Sequence, residues 1–326
     1  MKRLPPLFTI PQAGPLAASV ASAWGLPRPV TGALWFAGIN AIYRVESPRA
    51  TYFLRIPRRG LGARANPAVE GALIAHLRER GCAVAAPVRT RLGGFTVPLR
   101  LPEGRADAVL FERIDGEENW RPDPAQAGVA GRTLARMHVA ADGFRAAGRF
   151  HILDSRWLVR DSIALLGRVG LAADAMRGFR DAARRIHRRL ARLPRTSPGW
   201  GILHGDAIPT NVRFAGTPPA AAWYDFEFCG IGWRAHDIAS FRHFQLYANW
   251  DDAGARAVWR AFLRGYSSVR PIASWERRAI PVLTASRQLW IAGLHAWFCG
   301  QYGHKYFGPA VLAQRLGLLR KLVSSL

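Results

Sequence analysis

Two carboxylates and one amide stand out because they follow short apolar runs at close spacing. Asp206 follows Ile202-Leu203-His204-Gly205, and Asn211 comes five residues later. A second apolar run ends in Trp223-Tyr224, directly before Asp225. Phosphoryl transfer needs a carboxylate that orients and deprotonates a hydroxyl, and oxygen ligands that hold Mg²⁺ on the phosphates. The three side chains therefore predict phosphoryl transfer at loops between short strands.

The spacing of these residues resembles a known family. His-Gly-Asp-x₄-Asn at 204–211, followed by Asp-Phe-Glu at 225–227, is similar to the phosphotransferase family of aminoglycoside phosphotransferases, choline kinases and type II homoserine kinases. The continuation to Asp237-Ile238-Ala239, and the later run 285–295, are most similar to the homoserine kinase and stress response kinase A branch. The likeness covers residues 30–300, and the paired motifs at 204–211 and 225–227 are its specific part.

The resemblance implies a role for each matching residue of this motif. Asp206 is expected to be the catalytic base, and His204 to brace its loop. Asn211 and Asp225 are expected to bind Mg²⁺. The loop at 204–211 that carries Asp206 is called the catalytic loop. Asp237 opens a helix and is expected to hydrogen-bond this loop.

The first part of the chain is expected to bind ATP. Glu70 is expected to pair with the basic residue of the strand at 51–57. That residue is Arg55, where the family usually has lysine, and a buried arginine needs such a partner. The resemblance further implies that Gly38-Ile39-Asn40 forms a turn that covers the phosphates. It also implies that the backbone of Phe111, Glu112 and Arg113 contacts adenine.

The resemblance implies that the acceptor is a hydroxyl compound of homoserine-like, amino-alcohol or aminoglycoside-like type. Glu227, Arg287 and Trp290 are candidates for lining its site, although Arg287 and Trp290, with His295, could equally serve helix packing. Two alternatives stay open: a protein Ser/Thr kinase of the stress response kinase type, and a nucleotide-binding pseudokinase with a regulatory role, which Arg55 in place of lysine suggests.

The composition excludes several other chemistries. Of 46 basic residues only three are lysines, at positions 2, 305 and 321, so neither a P-loop lysine nor a Schiff-base lysine is available in the core. The net charge is +24, and its densest arginine cluster, at 177–195, alternates with apolar residues at helical spacing. That pattern predicts an amphipathic helix with a solvated face, and nucleic acid is not an expected partner.

The elements that must position these residues predict an α+β chain of two lobes, and the resemblance implies that its fold is protein-kinase-like. Residues 1–114 form a small sheet-plus-helix lobe with an N-terminal extension, and residues 115–326 a larger, mainly helical lobe that carries the catalytic loop and the acceptor site. A hairpin is predicted at 33–57, a helix at 66–81, and strands at 94–99 and 108–114. Further helices are predicted at 123–141, 154–166, 174–193, 236–248, 252–267, 275–300 and 309–323, with a β segment at 201–228.

The chain is expected to be cytoplasmic. It contains no apolar window long enough for a membrane span, and Pro5, Pro6 and Pro11 interrupt any apolar helix after the basic start. Its three cysteines are too few and too scattered for a zinc site or a disulfide framework, and Cys82 and Cys299, which lie among apolar residues, are expected to be buried as small hydrophobic residues.

Overall fold

A computed structural model describes residues 6–58, 66–145 and 147–326. Residues 1–5, 59–65 and 146 lie outside the described residues, so the expectation for Pro5 falls there. The predicted fold class is confirmed: a lobe built on an antiparallel sheet precedes a larger lobe that consists mainly of helices. The exact boundary between residues 114 and 115 stays a prediction.

The sheet of the first lobe runs in the order β1–β2–β3–β5–β4. The predicted hairpin is confirmed, with Ser47 paired to Ala50 at its turn. Arg55 lies on the central strand β3, between Ile42 and Val109. The strands are β1 (Thr31–Ala37), β2 (Asn40–Ser47), β3 (Ala50–Pro57), β4 (Thr96–Leu101) and β5 (Gly104–Glu112).

Two helices cover this sheet. Helix α1 (Ala13–Trp24) packs Leu16, Val20 and Trp24 into a core with strands β2, β3 and β5. No helix was predicted there, because small residues dominate the segment and weaken its apolar periodicity. Helix α2 (Pro67–Glu79) is the predicted one: the Asn66 side chain accepts a hydrogen bond from the N–H of Ala68, and Pro67 occupies the first turn.

The second lobe contains most of the helices. Helix α3 begins at a capping box formed by Asp123 and Gln126. The amphipathic prediction for the arginine-rich segment is confirmed, since the apolar stripe of α5 is buried and its arginines are exposed. The helices are α3 (Pro124–Ala141), α4 (Ser162–Leu166), α5 (Ala173–Leu190), α6 (Ala235–Tyr247), α7 (Ala253–Ser267), α8 (Ser274–Tyr302), α9 (His304–Phe307) and α10 (Pro309–Ser324).

One helix prediction was wrong in type. The segment 154–166 is not a single α-helix, because a π-helix at Arg156–Asp161 precedes α4. Trp157, Leu158 and Val159 are buried in that π-helix. Both helix types bury an apolar stripe at similar spacing, so periodicity alone did not distinguish them.

Short strands in the second lobe carry the loops that matter for chemistry. One small sheet has the order β10–β9–β6 and the other the order β7–β11–β8. The strands are β6 (Glu117–Glu118), β7 (Ile152–Leu153), β8 (Trp200–Leu203), β9 (Val212–Ala215), β10 (Ala220–Trp223) and β11 (Gly230–Trp233), with a 3₁₀ turn at Pro209–Asn211.

The interior of the larger lobe is one apolar core that also takes in Leu73, Ile74 and Leu77 of α2. Helix α2 therefore packs against both lobes, and this packing fixes the position of Glu70 relative to the catalytic loop. Cys82 and Cys299 are buried as predicted, and Cys229 is buried as well. Within the described residues, no helix is long and apolar enough to cross a membrane.

Candidate active site

The backbone of the catalytic loop is fixed by one carboxylate. Strand β8 leads into His204 and Gly205, whose N–H groups donate to Asp237 at 2.7 and 2.9 Å. Gly205 has φ +84°, and a Cβ there would lie 2.0 Å from the carbonyl oxygen of Phe228. Only glycine fits this turn. The contact from Asp237 to the loop is the one that the resemblance implied.

Asp237 is itself held by a buried chain of polar groups. His138 Nε2 lies 2.9 Å from Asp237, and the Tyr266 hydroxyl lies 2.7 Å from His138 Nδ1. Burial lowers the pKa of His138 to about 4, so the ring is neutral at pH 7. An ionised Asp237 can only accept, which assigns the proton to Nε2 and makes Tyr266 the donor to Nδ1.

Arg270 donates to the Tyr266 hydroxyl at 3.1 Å and pairs with Glu276 at 2.9 Å. Burial raises the pKa of Asp237, but the hydrogen bond from His138 and the electrostatic effects of the surrounding histidines together outweigh it, and this pKa lies below its usual value. His138 lies within the helix predicted at 123–141, but no role was predicted for it. A polar residue within the apolar stripe of α3 was the available signal.

The His204 ring joins the catalytic loop to the segment before Asp225. Its Nε2 lies 3.0 Å from the carbonyl oxygen of Tyr224, and the N–H of Asp206 donates to its Nδ1 at 3.3 Å. The ring packs against Phe226 at 4.3 Å between centroids. Burial lowers the pKa of His204. This placement suits the bracing role expected of His204.

The Asp206 carboxylate faces the cleft with 15% of its side chain exposed. Arg287 of α8 donates to its Oδ1, and the other terminal nitrogen of Arg287 lies 3.4 Å from the carbonyl oxygen of Gly205. Trp290 is 6% exposed and packs against Trp157 and Phe228. The structure thus puts Arg287 on the expected base and Trp290 in an aromatic cluster next to it, whereas His295 packs elsewhere, against Phe307.

The two expected metal ligands are tied to the same loop. Asn211 donates from Nδ2 to the carbonyl oxygen of Asp206 at 2.9 Å, and Tyr224 N–H donates to the carbonyl of Asn211 at 3.1 Å. The side-chain oxygen of Asn211 is thereby turned away from Asp206. Asp225, the next residue after Tyr224, has φ +63°, in the left-handed region where strain concentrates at functional positions.

Negative charge is crowded around Asp225. Burial raises its pKa, and Glu227, Asp206 and Glu70 raise it further, while Arg55 acts in the opposite direction. The 3.5 Å approach of Arg55 to Asp225 neutralises only part of this charge. The carboxylate and amide oxygens here are of the kind that Mg²⁺ prefers, and a cation would relieve the crowding.

Arg55 links the sheet to both charged sides of the cleft. Its Nη2 pairs with Glu70 of α2, and the two residues are 5% and 1% exposed. Its guanidinium lies 5.0 Å from the centroid of the Phe111 ring. Burial lowers the pKa of Arg55, but Glu70, together with Glu227 and Asp225, outweighs burial and raises the pKa, so the group remains charged.

The expected phosphate-covering turn connects β1 to β2 and is held from the other lobe. Asn40 donates from Nδ2 to Glu227 at 2.8 Å, and the Tyr302 hydroxyl donates to the carbonyl of Gly38 at 2.7 Å. Glu227, expected as a candidate for lining the acceptor site, therefore contacts the turn. The Tyr302 contact was not predicted, and its distance of 264 residues along the chain explains why.

The segment expected to meet adenine comprises the last two residues of β5, Phe111 and Glu112, and the next residue, Arg113. The N–H of Glu112 donates to Ala86 at 2.8 Å, and the N–H of Arg113 donates to Thr51 at 3.3 Å. A cavity of about 390 Å³ opens beside both residues and is also lined by Ala50, Thr51, Tyr52 and Asp115. The Phe111 ring lies next to the guanidinium of Arg55.

Comparison with known proteins agrees with this fold and identifies the family. The sequence model of the phosphotransferase enzyme family matches residues 37–272. An uncharacterized protein of Deinococcus radiodurans is 31% identical over 312 residues, which cover 94% of this chain and 89% of the relative. A homoserine kinase of Phenylobacterium zucineum is 30% identical over 268 residues, with 79% and 77% covered.

The fold also matches a solved structure of the amicoumacin kinase hAmiN in complex with AMP-PNP, Ca²⁺ and Ami. The TM-score is 0.77 at 18% identity, with 95% of this chain and 92% of that chain covered. The fold and the site define a protein-kinase-like phosphotransferase. The chain belongs to the phosphotransferase enzyme family, whose kinases use ATP, and its acceptor is an alcohol group.

Proposed function

We propose that this chain transfers the γ-phosphate of ATP to a hydroxyl of a small molecule, with Mg²⁺ as the metal ion. The observation that carries the proposal is the arrangement of Asp206, Asn211 and Asp225. Two hydrogen bonds connect the three residues: the Asn211 side chain donates to the carbonyl of Asp206, and the N–H of Tyr224, the residue before Asp225, donates to the carbonyl of Asn211. One loop system thus presents a base and two oxygen ligands to one cleft.

Asp206 is proposed to orient the acceptor hydroxyl and to take its proton. The transition state of phosphoryl transfer is loose, so positioning and electrostatics supply most of the rate acceleration. Fixing the loop through Asp237 supports this role, because the carboxylate does not need to reorganise during the reaction.

Asn211 and Asp225 are proposed to hold Mg²⁺. When bound, the ion neutralises charge on the phosphates. The crowded carboxylates that raise the pKa of Asp225 support a cation at this position. The Ca²⁺ bound beside an ATP analogue in the amicoumacin kinase supports a divalent ion in proteins of this fold.

The nucleotide is proposed to lie between Arg55 and the turn Gly38-Ile39-Asn40. Arg55 remains charged and already lies near Asp225, so it can reach a phosphate while Glu70 holds its other side. Because the N–H groups of Glu112 and Arg113 are engaged within the protein, adenine is proposed to use carbonyl groups of this segment and the neighbouring Phe111.

The acceptor is proposed to be a small amino alcohol or a homoserine-like compound. The similarity to a homoserine kinase over most of both chains supports this class more than a protein substrate. Trp290 remains a candidate for the wall of the acceptor site. The use of ATP and a small metabolite makes the cytoplasm the expected location, and nucleic acid is not part of the proposal.

An ATP-consumption assay tests the proposal. Purified protein with Mg²⁺-ATP is offered homoserine, aminopropanol, choline, an aminoglycoside and a Ser/Thr protein, and phosphorylated product is measured by mass spectrometry. We expect one small-molecule class to be phosphorylated, and Asp206→Asn to lower kcat by about 10²–10⁴ with ATP binding retained.

Three results would contradict the proposal or one of its parts. A thermal shift with Mg²⁺-ATP but no product from any acceptor would indicate a pseudokinase. Phosphorylation of the protein substrate alone would indicate a protein kinase. Wild-type turnover by Asp206→Asn would remove Asp206 from its assigned role.

A further inference from the structure

Arg287 makes an unusual contact for a residue on a core helix. It is 2% exposed, and its guanidinium donates to Oδ1 of Asp206. Its plane lies 4.4 Å from the centroid of Trp290. Its Nε has no hydrogen-bond partner in the described part of the chain, and Asp206 is the one carboxylate within ion-pair distance among the same residues.

A buried guanidinium is always charged and needs an opposite charge close by. Because Asp206 is that charge, Oδ1 is committed to Arg287. The structure shows no hydrogen bond to Oδ2 of Asp206 from any described residue. The side chain is 15% exposed, so Oδ2 is the oxygen available to a ligand in the cleft.

From this geometry we infer that Arg287 is a positioning residue for the reaction. It holds the Asp206 carboxylate in one rotamer and reserves Oδ2 for the acceptor hydroxyl. Trp290 holds the guanidinium plane from the other side by cation–π contact. The inference rests on the proposed function, because it assigns Arg287 a purpose only if Asp206 is the base.

A purely structural role for Arg287 makes different predictions. If the pair only neutralised charge in the core, loss of Arg287 would lower stability and the folded fraction, but the folded molecules would turn over normally. If Arg287 positions the base, the folded molecules lose kcat while the KM for ATP stays the same, since Arg55 and Glu70 are untouched.

The experiment compares Arg287→Met, Arg287→Lys and Arg287→Ala with the wild type, in kcat per folded molecule and in KM for ATP. We expect kcat of Arg287→Met to fall by about 10²-fold, the usual effect of misplacing a reacting group, with KM for ATP within about twofold. Arg287→Lys should keep more activity than Arg287→Met, because a charge remains. Guanidinium ion at millimolar concentration should partly restore Arg287→Ala and leave the wild type and Asp206→Asn unchanged.

The pair is tested again by combining Arg287→Met with Asp206→Asn. In the Asp206→Asn background the loss of Arg287 should change kcat by less than about threefold, because groups that act as a unit are not additive. The thermal midpoint of the double variant should exceed that expected from adding the two single effects, since no unpaired charge is left buried. That measurement remains informative if Arg287→Met folds poorly.

Normal kcat in folded Arg287→Met, or additive losses in the double variant, would overturn the inference and leave the proposed function standing. A wild type that phosphorylates no acceptor would remove the proposed function and, with it, this inference.

Discussion

The catalytic loop and the phosphate-covering turn lie on opposite sides of one cleft, but different contacts hold them. Asp237 holds the catalytic loop from 32 and 33 residues away, within the same lobe. The phosphate-covering turn is held by Glu227 and Tyr302, 187 and 264 residues away in the other lobe. The catalytic loop is fixed by contacts within its own lobe, whereas the phosphate-covering turn depends on contacts between the two lobes.

This difference indicates that the two segments affect different kinetic constants. The catalytic loop is preformed, because buried and charge-assisted hydrogen bonds hold it whether or not the lobes separate. The turn can release when the lobes part, as phosphate-covering segments must for nucleotide entry. We therefore expect changes near the catalytic loop to lower kcat, and changes at the turn to raise the KM for ATP.

The largest effect is expected at the two residues beside the catalytic loop that we propose as metal ligands. Asp225→Ala removes a charged ligand and should lower kcat by about 10³-fold, since metal contacts supply several kcal/mol to charge stabilisation. Asn211→Ala removes a neutral ligand and should lose less, with partial recovery at high Mg²⁺. The measurement is kcat against Mg²⁺ concentration. Equal losses that do not depend on Mg²⁺ would argue against coordination by these residues.

Acid should weaken the lobe that fixes the catalytic loop. Burial lowers the pKa of His138 and His236 to about 4 and that of His243 to about 3. Unfolded histidines titrate near 6.5, so between pH 6.5 and about 4 the unfolded chain binds more protons and stability falls as pH falls. Each histidine should shift the folding equilibrium by about tenfold per pH unit in this window.

The thermal midpoint measured from pH 7.5 to pH 5.5 checks this prediction, and it should fall steeply below pH 6.5. His138→Gln, which can still bond Asp237 and Tyr266 but does not titrate, should show a shallower fall. A midpoint that stays constant across this range would contradict the buried neutral state of these rings.

Arg55 contacts both sides of the cleft, and its loss should affect both kinetic constants. Arg55→Ala leaves Glu70 and the phosphates without a counter-charge, and should raise the KM for ATP by about tenfold, the effect of one charged hydrogen bond, and also lower kcat. Arg55→Lys should retain more activity, because the charge survives and only the forked geometry is lost. ATP kinetics of both variants decide the matter. If Arg55→Ala behaves as the wild type, the phosphate contact comes from another residue.

The same contrast explains how much could be predicted from the sequence. The fold class followed from motif and layout, and the helix starts at Asn66 and Asp123 followed from local capping. The contact of Asp237 with the catalytic loop followed from the family resemblance, because both segments belong to the family's sequence pattern. Asn40 with Glu227, and Arg287 with Asp206, join segments that no local pattern connects, so only the folded chain brings them together.

The smallest effect is expected at the far end of α8. Tyr302→Phe removes the hydroxyl that donates to Gly38 and accepts from Arg58 at 2.6 Å, while keeping the ring that packs against Phe298. One neutral hydrogen bond contributes about 0.5–1.5 kcal/mol, so the KM for ATP should rise by about two- to tenfold with kcat unchanged. Tyr306→Phe is the matched control, because this ring is 64% exposed and lies only four residues further along the chain. A fall in kcat without a change in KM, or an equal effect in the control, would show that the turn does not depend on Tyr302. The proposal that contacts from the other lobe hold the turn would then be wrong, while the evidence for a preformed catalytic loop would be unaffected.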